Sequence, residues 1–432
     1  MNTLWRDLSL RLMSIAVLFI GLFVLCLQGK ADWTFFVMAG IYTGLVLSGC
    51  LLEHLFHYQG DRLLLPAIQL ITVIGLVFLT RINAALAWKQ FIWVSVGLGL
   101  FYVILWGLKD YRRLGEIQYL WGLIAVVLLF ITLIFGVTSG GARSWLRIGG
   151  LGFEPEELVK IALLIFLAVY LENHEKILRI GTVQWGRISV PDWRTFGPFL
   201  LMAAFSLGIL AAQKSLGTAL VFYLLFVMML YIVTERGFYL AMALPTFLGT
   251  GILGYVLFGH VRVRVSAWLN PWQDVTGGGY QIAQSLFAIS GGGVLGSGLG
   301  NGIGAVQVPA AATDFIFAVI AEELGFAGAV ALVGVFLLVI FRAFIISAGA
   351  GERLGQILAA GIGVLLATET LMILAGVTKL LPLTGIPLPW VSYGGSSMLI
   401  HFLLLGLLVN ISAGAAEQKA LLGAKGKELG AG

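Results

Sequence analysis

The sequence predicts an all-α polytopic membrane protein with about twelve transmembrane helices. Three observations predict it. Of the 432 residues, 59% are hydrophobic and only 11% are Asp, Glu, Lys or Arg, less than half the charged share of a soluble domain. The apolar residues gather into segments long enough to cross a bilayer. The cations between them divide unevenly over alternate loops. A single soluble core cannot hide that much apolar surface, which excludes a soluble enzyme, a disordered chain and a nucleic-acid binder. The net charge of +5 is the mild basic excess that loops of a membrane protein carry. Cys26 and Cys50 lie inside apolar runs and read as buried thiols, with no disulfide framework and no metal spacing.

A bilayer core of about 30 Å needs about 20 mostly apolar residues per helix. Twelve segments meet this: 12–28, 33–52, 63–80, 91–108, 120–137, 157–172, 196–212, 216–233, 239–258, 315–347, 355–378 and 397–412. The first follows Arg6 and Arg11 as a signal peptide would, but no small-x-small cleavage site comes after it, so it is an uncleaved span. The sixth carries Lys160, and the tenth has a polar first third. Many of the 57 glycines fall within helices, where small residues allow close packing.

With the N-terminus cytoplasmic, sixteen Lys and Arg fall on the inner side and nine on the outer. The outer nine are Lys30, Arg81, Lys89, Arg143, Arg147, Lys214, Arg262, Arg264 and Lys379. The bias puts both termini inside. Two outer loops stand out. Residues 138–156 read TSGGARSWLRIGGLGFEPE, and 259–314 run without a spanning segment. Loops of such length are usually functional or disordered. The second holds Trp268, Trp272, Tyr280 and Phe287, which is not a disordered composition, and Tyr280 to Ile289 reads as a short interfacial helix. The tail from Gly414 is rich in Ala, Gly, Lys and Glu and reads as a loose end.

Ionisable groups at membrane depth are functional candidates by default. Here they are Lys160, Asp314, Glu322, Glu323 and Glu369. Asp314 stands where the long loop enters an apolar helix. It can cap that helix, and a carboxylate at a half-buried mouth can also act as a general base; both readings stay open. Glu322 and Glu323 read as structural partners of a cation. Arg143, Arg147, Arg262 and Arg264 flank the outer loops, and a guanidinium fork suits phosphate, although snorkelling to lipid headgroups is the plainer role. Arg262 and Arg264 alternate directly before WLNPWQD, and on an extended segment both would point the same way. GSGLGNGIG at 296–304 lacks the strand-turn-helix setting of a dinucleotide loop and reads as a tight turn. His54 and His57 have no third ligand, and His401 reads as a packed, hydrogen-bonded histidine.

Four stretches go further: GARSWLRIGGLGFEPEELVKIALL (141–164), RVRVSAWLNPWQDVTGGGYQIAQSLFAISGGGVLGSGLGNG (262–302), VPAAATDFIFAVIAEELGFAG (308–328) and LPLTGIPLPWVSYGGSS (381–397). Together they resemble the SEDS family, which comprises RodA, FtsW and SpoVE, over about residues 91–412 in order and spacing. The resemblance implies a peptidoglycan glycosyltransferase of the bacterial cytoplasmic membrane. It would polymerise lipid II, an undecaprenyl-diphosphate-linked disaccharide peptide, at the outer face and work with a class B penicillin-binding protein. Membrane lipid surrounds it, and no nucleic acid is involved. The family core has ten spans. Residues 1–62 are therefore a two-span addition, 63–413 the core with its extracytoplasmic loop 259–314, and 414–432 a cytoplasmic tail. The addition holds no acid or base within its two segments and is expected to be separable from catalysis.

Residue by residue, the resemblance puts the essential acid of T-D-F-I-F on Asp314 and the tryptophan of GA-x-x-W on Trp145. It implies substrate contacts at Arg143, Trp145, Lys160, Arg262, Arg264, Ser392 and Ser396. No cofactor is implied; a divalent cation beside Asp314 is compatible with the chemistry, but no ligand cluster marks one and its ligands are unknown. The chain departs from the family in places. The usual Q-P-S-E-x-x-K reads Glu154-Pro155-Glu156-Glu157-Leu158-Val159-Lys160, and the usual Q-P-D-L-G-T reads Gln213-Lys214-Ser215-Leu216-Gly217-Thr218. Pro-Glu before T-D-F reads Pro309-Ala310, and Glu369 replaces a polar amide. The alternative is a flippase or transporter of a lipid-linked precursor, but the internal repeats and broken helices of that class are not evident.

Overall fold

All twelve apolar segments form helices in the computed structural model of the protein, which describes residues 2–430 except His57, Lys109, Gly140, Gly150, Thr182, Gly186 and Arg187. His57, Lys109 and Arg187, which entered the sequence reading, lie outside the described residues. The chain opens with α1 (Asn2–Leu27), α2 (Phe35–Leu55), α3 (Leu64–Ile82) and α4 (Ala84–Gly107). A short α5 (Arg113–Glu116) leads into α6 (Gln118–Phe135). Strands β1 (Val137–Ser139), β2 (Ala142–Ile148) and β3 (Leu151–Phe153) then precede α7 (Pro155–Ile180). Strands β4 (Val183–Trp185) and β5 (Ile188–Val190) come before α8 (Trp193–Ala212), α9 (Leu216–Thr234) and α10 (Gly237–Leu257). The long loop contains α11 (Gly259–Leu269), a 3-10 turn (Pro271–Asp274), α12 (Tyr280–Gly292) and α13 (Gly304–Gln307). The chain ends with α14 (Ile316–Gly349), α15 (Arg353–Val377) and α16 (Gly395–Gly430).

Among the described residues, 11 helices are long and apolar enough to cross a membrane. The twelfth predicted span is α7. Its 26 residues suffice in length, and its charges, Glu156, Glu157 and Lys160 among them, keep it out of that set. Pro155 occupies the first turn with Glu156 and Glu157, a start that suits both the missing proline N–H and the helix dipole.

The chain forms two units. One comprises Met1–Gly107, Val263–Arg342 and Glu369–Gly432; the other comprises Leu108–Arg262 and Ala343–Thr368. In the first, α1 packs on α2 and α3, and α4 packs on α3 and α16. In the second, α7 is the centre. Helices α6, α8 and α9 pack on it and α10 packs on α9. Leu163, Leu164, Leu167, Ala168 and Leu171 of α7 are buried, as expected for a helix that is apolar all round.

Four expectations change. The loop 138–156 folds as a three-stranded antiparallel sheet in the order β1-β2-β3, so the all-α class holds with two small sheets added. Arg262 and Arg264 lie on helix α11. At two residues apart on a helix they face different ways, and only Arg264 is partly buried. The tail does not come loose at Gly414, because α16 continues to Gly430 through residues of high helix propensity. Finally, α1 and α2 are longer than the segments read for them. They take in Arg11 and Glu53, which form a buried ion pair of 2.6 Å. Asp7 lies 3.2 Å from the same guanidinium, and Tyr102 donates to Glu53 at 3.0 Å. The added hairpin does carry a buried acid and base.

Ion pairs across the sequence test the parity of the spans. Arg342 pairs with Asp61, Arg353 with Glu175 at 2.7 Å, Arg112 with Glu352 at 2.7 Å and Arg179 with Glu235 at 2.6 Å. The charge rule placed all four cations on one side. On its other side, Arg81 and Lys30 both donate to the loop at Gly302 and Gly300. Within each unit these contacts fix which loops share a side; they do not fix which side is outside.

Candidate active site

Asp314 is held by a tight turn rather than by its helix. Ala310 adopts the left-handed conformation with φ 53°. The amides of Thr313 and Phe315 both donate to its carbonyl, at 3.0 and 3.3 Å. Helix α14 then begins at Ile316, with Phe315 and Ile316 fully buried as anchors. Asp314 is left half-buried at the mouth. Among the described residues, no backbone amide donates to its carboxylate, so Asp314 is not the cap of α14.

The loop between α15 and α16 is bonded to this turn. Ser392 donates from Oγ to the Thr313 carbonyl at 2.6 Å and accepts the Leu388 amide at 2.9 Å. The Tyr393 amide donates to the Ala312 carbonyl at 2.8 Å. Gln90 of α4 holds the loop at two points, donating to the Ser392 carbonyl at 3.0 Å and accepting the Gly394 amide at 3.1 Å. Gly75 of α3 lets the loop lie close: a Cβ there would stand 2.6 Å from the Val391 carbonyl oxygen. Trp390 is buried with φ 58°, a rare conformation for a bulky residue, and packs edge-on to His401 with ring centroids 5.1 Å apart. His401 in turn meets Glu369 at 2.7 Å and the Ser397 carbonyl at 2.7 Å. A carbonyl only accepts, so Nδ1 is the donor to Ser397. Ser392 and Ser396 are buried. Ser392 thus acts on Asp314 through the Thr313 backbone.

Arg264 faces Asp314. Its Nη1 donates to the Thr384 carbonyl at 3.3 Å. Helix α11 is pinned there by Trp268, whose indole donates to the Lys379 carbonyl at 3.2 Å. Between the two charges lies Gly385, with φ 75°. A Cβ on it would stand 3.7 Å from Asp314 Oδ2 and 3.8 Å from Arg264 Nη2, so the absence of a side chain leaves room beside the carboxylate and the guanidinium. Burial pushes the Asp314 carboxyl up from its ordinary range, and a hydrogen bond from Thr313 and the charge of Arg264 pull it part of the way back. Burial lowers the Arg264 guanidinium and Asp314 raises it; an arginine stays charged throughout. Gly385, Gln90 and Trp390 were not singled out from the sequence. The only sequence signal for Gly385 is a lone glycine between prolines in LPLTGIPLPW.

The remaining predicted residues lie in the second unit. Arg143 donates to the carbonyls of Gly136 at 2.7 Å and Ile134 at 3.3 Å, the place where a helix end welcomes a cation. Its own amide donates to Gln213 at 2.8 Å. Trp145 packs across the β2–β3 hairpin, where a Cβ on Gly152 would lie 3.1 Å from its ring. Lys160 is buried and pairs with Glu157 at 2.8 Å. Ser215 donates to Glu156 at 2.7 Å. This bond joins two departures noted separately above, because the acid and the hydroxyl of one pair have exchanged positions. Glu154 ends the cluster. Burial, with Glu157 and then Glu156 close by, pushes its carboxyl up to about 8. Asp314, Arg264, Ser392 and Ser396 fall in the first unit, and Arg143, Trp145, Lys160 and Arg262 in the second. Among the described residues, no three His, Cys, Asp or Glu side chains are grouped to hold a metal ion.

Comparison with known proteins bears on this arrangement. Residues 53–417 match the model of the FtsW/RodA/SpoVE family, described as cell cycle proteins. The chain is 36% identical over 368 residues to the peptidoglycan glycosyltransferase RodA of Mycobacterium tuberculosis H37Rv, covering 82% of this chain and 78% of that one. It is 34% identical over 370 residues to a probable peptidoglycan glycosyltransferase FtsW of Geobacter sulfurreducens, covering 81% and 94%. Among solved structures it is similar to a chain of a peptidoglycan synthase complex that coordinates polymerization and crosslinking, with a TM-score of 0.66, 28% identity, and 82% and 98% coverage. It is also similar to the rod shape determining protein RodA of Thermus thermophilus, with a TM-score of 0.56, 26% identity, and 82% and 96% coverage.

Proposed function

The chain belongs to this FtsW/RodA/SpoVE family and is a multi-pass peptidoglycan glycosyltransferase, and from that premise we propose that it polymerises lipid II with Asp314 as the general base. The observation that carries the reading is a carboxylate without capping bonds, half-buried at a helix mouth, with a cation across an open gap. The 4-hydroxyl of one sugar attacks the anomeric carbon of the muramyl sugar on another chain. Its proton passes to an Asp314 oxygen as the new C–O bond forms. The anomeric C–O bond to the diphosphate breaks, and the undecaprenyl diphosphate leaves with the electron pair. A positioned base contributes about 10²–10⁴-fold. Fixed cations that meet the developing charge contribute comparably.

Arg264 is the cation we assign to the diphosphate, and the exposed Arg262 serves the headgroup from the neighbouring face of α11. Lys160 and Arg143 are committed to Glu157 and to the end of α6, so they act by holding their own unit. Trp145 shapes the surface of the β2–β3 hairpin. Ser392 is a positioning residue, and the buried Ser396 supports the same loop. A divalent cation at Asp314 would find no cluster of three acidic, His or Cys ligands among the described residues, and no step is routed through one. The similarity to a chain of a synthase complex supports a class B penicillin-binding protein as partner.

The test uses purified protein, fluorescent lipid II and a gel that resolves glycan strands. Strands from the wild type and none from Asp314→Asn support the reading. Strands from both remove Asp314 as base. The bacterial cytoplasmic membrane with both termini inside is the orientation we propose. Single cysteines at the exposed Leu295 and Gly351, in a chain lacking Cys26 and Cys50, will label from opposite sides, with Leu295 reached from outside. Labelling of both from outside would put the span parity in error.

A further inference from the structure

Helix α14 is broken nine residues after it starts. Gly325 has φ 70° and ψ −175°, a conformation open to glycine alone. The glycine-rich loop after α12 fills the break. The Ser297 and Gly298 amides donate to the Glu322 and Glu323 carbonyls at 2.9 and 3.0 Å, and the Phe326 and Ala327 amides donate to the Gly293 and Val294 carbonyls at 2.9 and 3.1 Å. The side chains of the same two glutamates bind the next part of the loop. Glu322 accepts the amides of Ile303 at 3.0 Å and Gly304 at 2.7 Å. Glu323 accepts that of Gly300 at 2.7 Å and meets Arg81 at 3.3 Å. These carboxylates are therefore spent on backbone, and the rod from Ile316 to Leu324 that follows Asp314 is held at its far end by the loop.

Two more groups complete that hold, and they come from the added hairpin. Gln28, just past α1, donates to the Leu299 carbonyl at 2.9 Å. Lys30 donates to the Gly300 carbonyl. Gly300 has no side chain to keep them off: a Cβ there would overlap Gln28 Oε1. At the opposite end the buried Arg11–Glu53 pair ties α1 to α2, Tyr102 of α4 donates to Glu53 and α1 packs along α3, so Gln28 and Lys30 are presented by a fixed rod.

We propose that the N-terminal two-span hairpin is a positioning element of the active site, acting through Gln28 and Lys30 on the loop 299–302 that braces the rod against which the Asp314 turn is seated. This rests on Asp314 being the base. It replaces the expectation that the first two spans are separable from catalysis. A rod of nine residues is about 13 Å long, so a small tilt at its braced end shifts the turn at the other end, where Asp314 sits. Misplacements of about 1 Å cost up to about 10²-fold in rate.

The experiment measures kcat and KM for lipid II with the full-length chain, comparing wild type, Gln28→Ala, Lys30→Met, their double variant, Lys30→Arg and Asp314→Asn. The expected result is a fall in kcat of about 10- to 100-fold in the double variant, with KM little changed, normal monodispersity in detergent, smaller losses in the single variants and most activity kept in Lys30→Arg. A raised KM with unchanged kcat would overturn the proposal, because the loop would then be a substrate contact. Near wild-type kinetics in a monodisperse double variant would overturn it as well. So would loss of monodispersity in both single variants, which would make the contact a folding brace alone. Activity in Asp314→Asn is a separate outcome that removes the general-base reading on which the proposal rests.

Discussion

Two regions of this molecule hold buried or half-buried carboxylates near cations, and they use them in opposite ways. In the second unit, Glu157 is closed on Lys160 at 2.8 Å and Glu156 is closed on Ser215 at 2.7 Å. In the first, Asp314 faces Arg264 near Gly385 and, among the described residues, takes no backbone amide. A closed pair recovers the cost of burying charge by bonding it. An open one leaves that cost standing and keeps the lone pairs available for a proton. The difference teaches that partner geometry, rather than residue type or burial, separates the acid proposed as the base from the structural ones.

The sharpest way to break this comparison is Asp314→Asn. Polymerisation is expected to fall by about 10²–10⁴-fold with no loss of thermal stability. The sign follows from burial. The folded chain raises the Asp314 carboxyl above its unfolded value, so the folded state holds the proton more tightly. The charged form therefore costs stability above the raised pKa, and that cost disappears below it. Asn carries no such cost at neutral pH, so its melting temperature will equal or exceed that of the wild type. A clear fall in melting temperature would class Asp314 with the structural acids.

Gly385→Ala comes next. It places a methyl group between acid and cation at a backbone φ of 75°. We expect a loss of about 10- to 100-fold in kcat/KM and about 1 kcal/mol of stability, read by kinetics and thermal melting. Unchanged kinetics would mean that the gap is not where substrate enters. Arg264→Gln gives a smaller, directional effect. With Asp314 as the proposed base, only its deprotonated form is active, so the rate is expected to fall as pH drops through its raised pKa. Removing the Arg264 charge removes a downward pull, and the acid limb of the kcat profile will move to higher pH. An unmoved limb would uncouple the two groups.

The last test belongs to the second unit and sharpens the contrast from the structural side. Ser215→Asp puts a second carboxylate against Glu156, and Glu156→Ser removes the carboxylate that Ser215 donates to and leaves it the weaker contact with Thr218. Each is expected to cost about 1–3 kcal/mol, measured by thermal denaturation, whereas the double variant restores the pair in exchanged order and recovers most of the loss. Additive losses would show that the two positions are not coupled.

The spans were legible because twelve runs of apolar residues can satisfy their backbones in lipid only as helices. Asp314 was singled out because an acid at the boundary of a loop and an apolar helix reads as a cap or a base, and the family resemblance placed the essential acid there; the bonding of the turn then removed the cap. What the sequence could not show is pairing. Ser215 and Glu156 read as two unrelated departures until the bond between them appeared. Lys160 and Arg143 read as phosphate ligands, because a sequence reports a cation but not the carboxylate or carbonyl that has already taken it. Arg262 and Arg264 seemed to share a face only on the assumption of extended chain. Gln28 and Lys30 lie about 270 positions from the loop they hold, and no local pattern spans that distance.

The threaded break in α14 changes how random mutagenesis of this protein would be read. A Cβ on Gly296 would stand 2.2 Å from the Glu323 carbonyl oxygen, and one on Gly304 would stand 2.4 Å from Glu322 Oε2. A screen for inactive variants will therefore return glycine after glycine between 292 and 304, together with Gly325. Such a cluster of intolerant glycines has the look of a phosphate-binding motif. Here its intolerance is that of a rope passed through a split beam, where any added thickness forces the two halves apart.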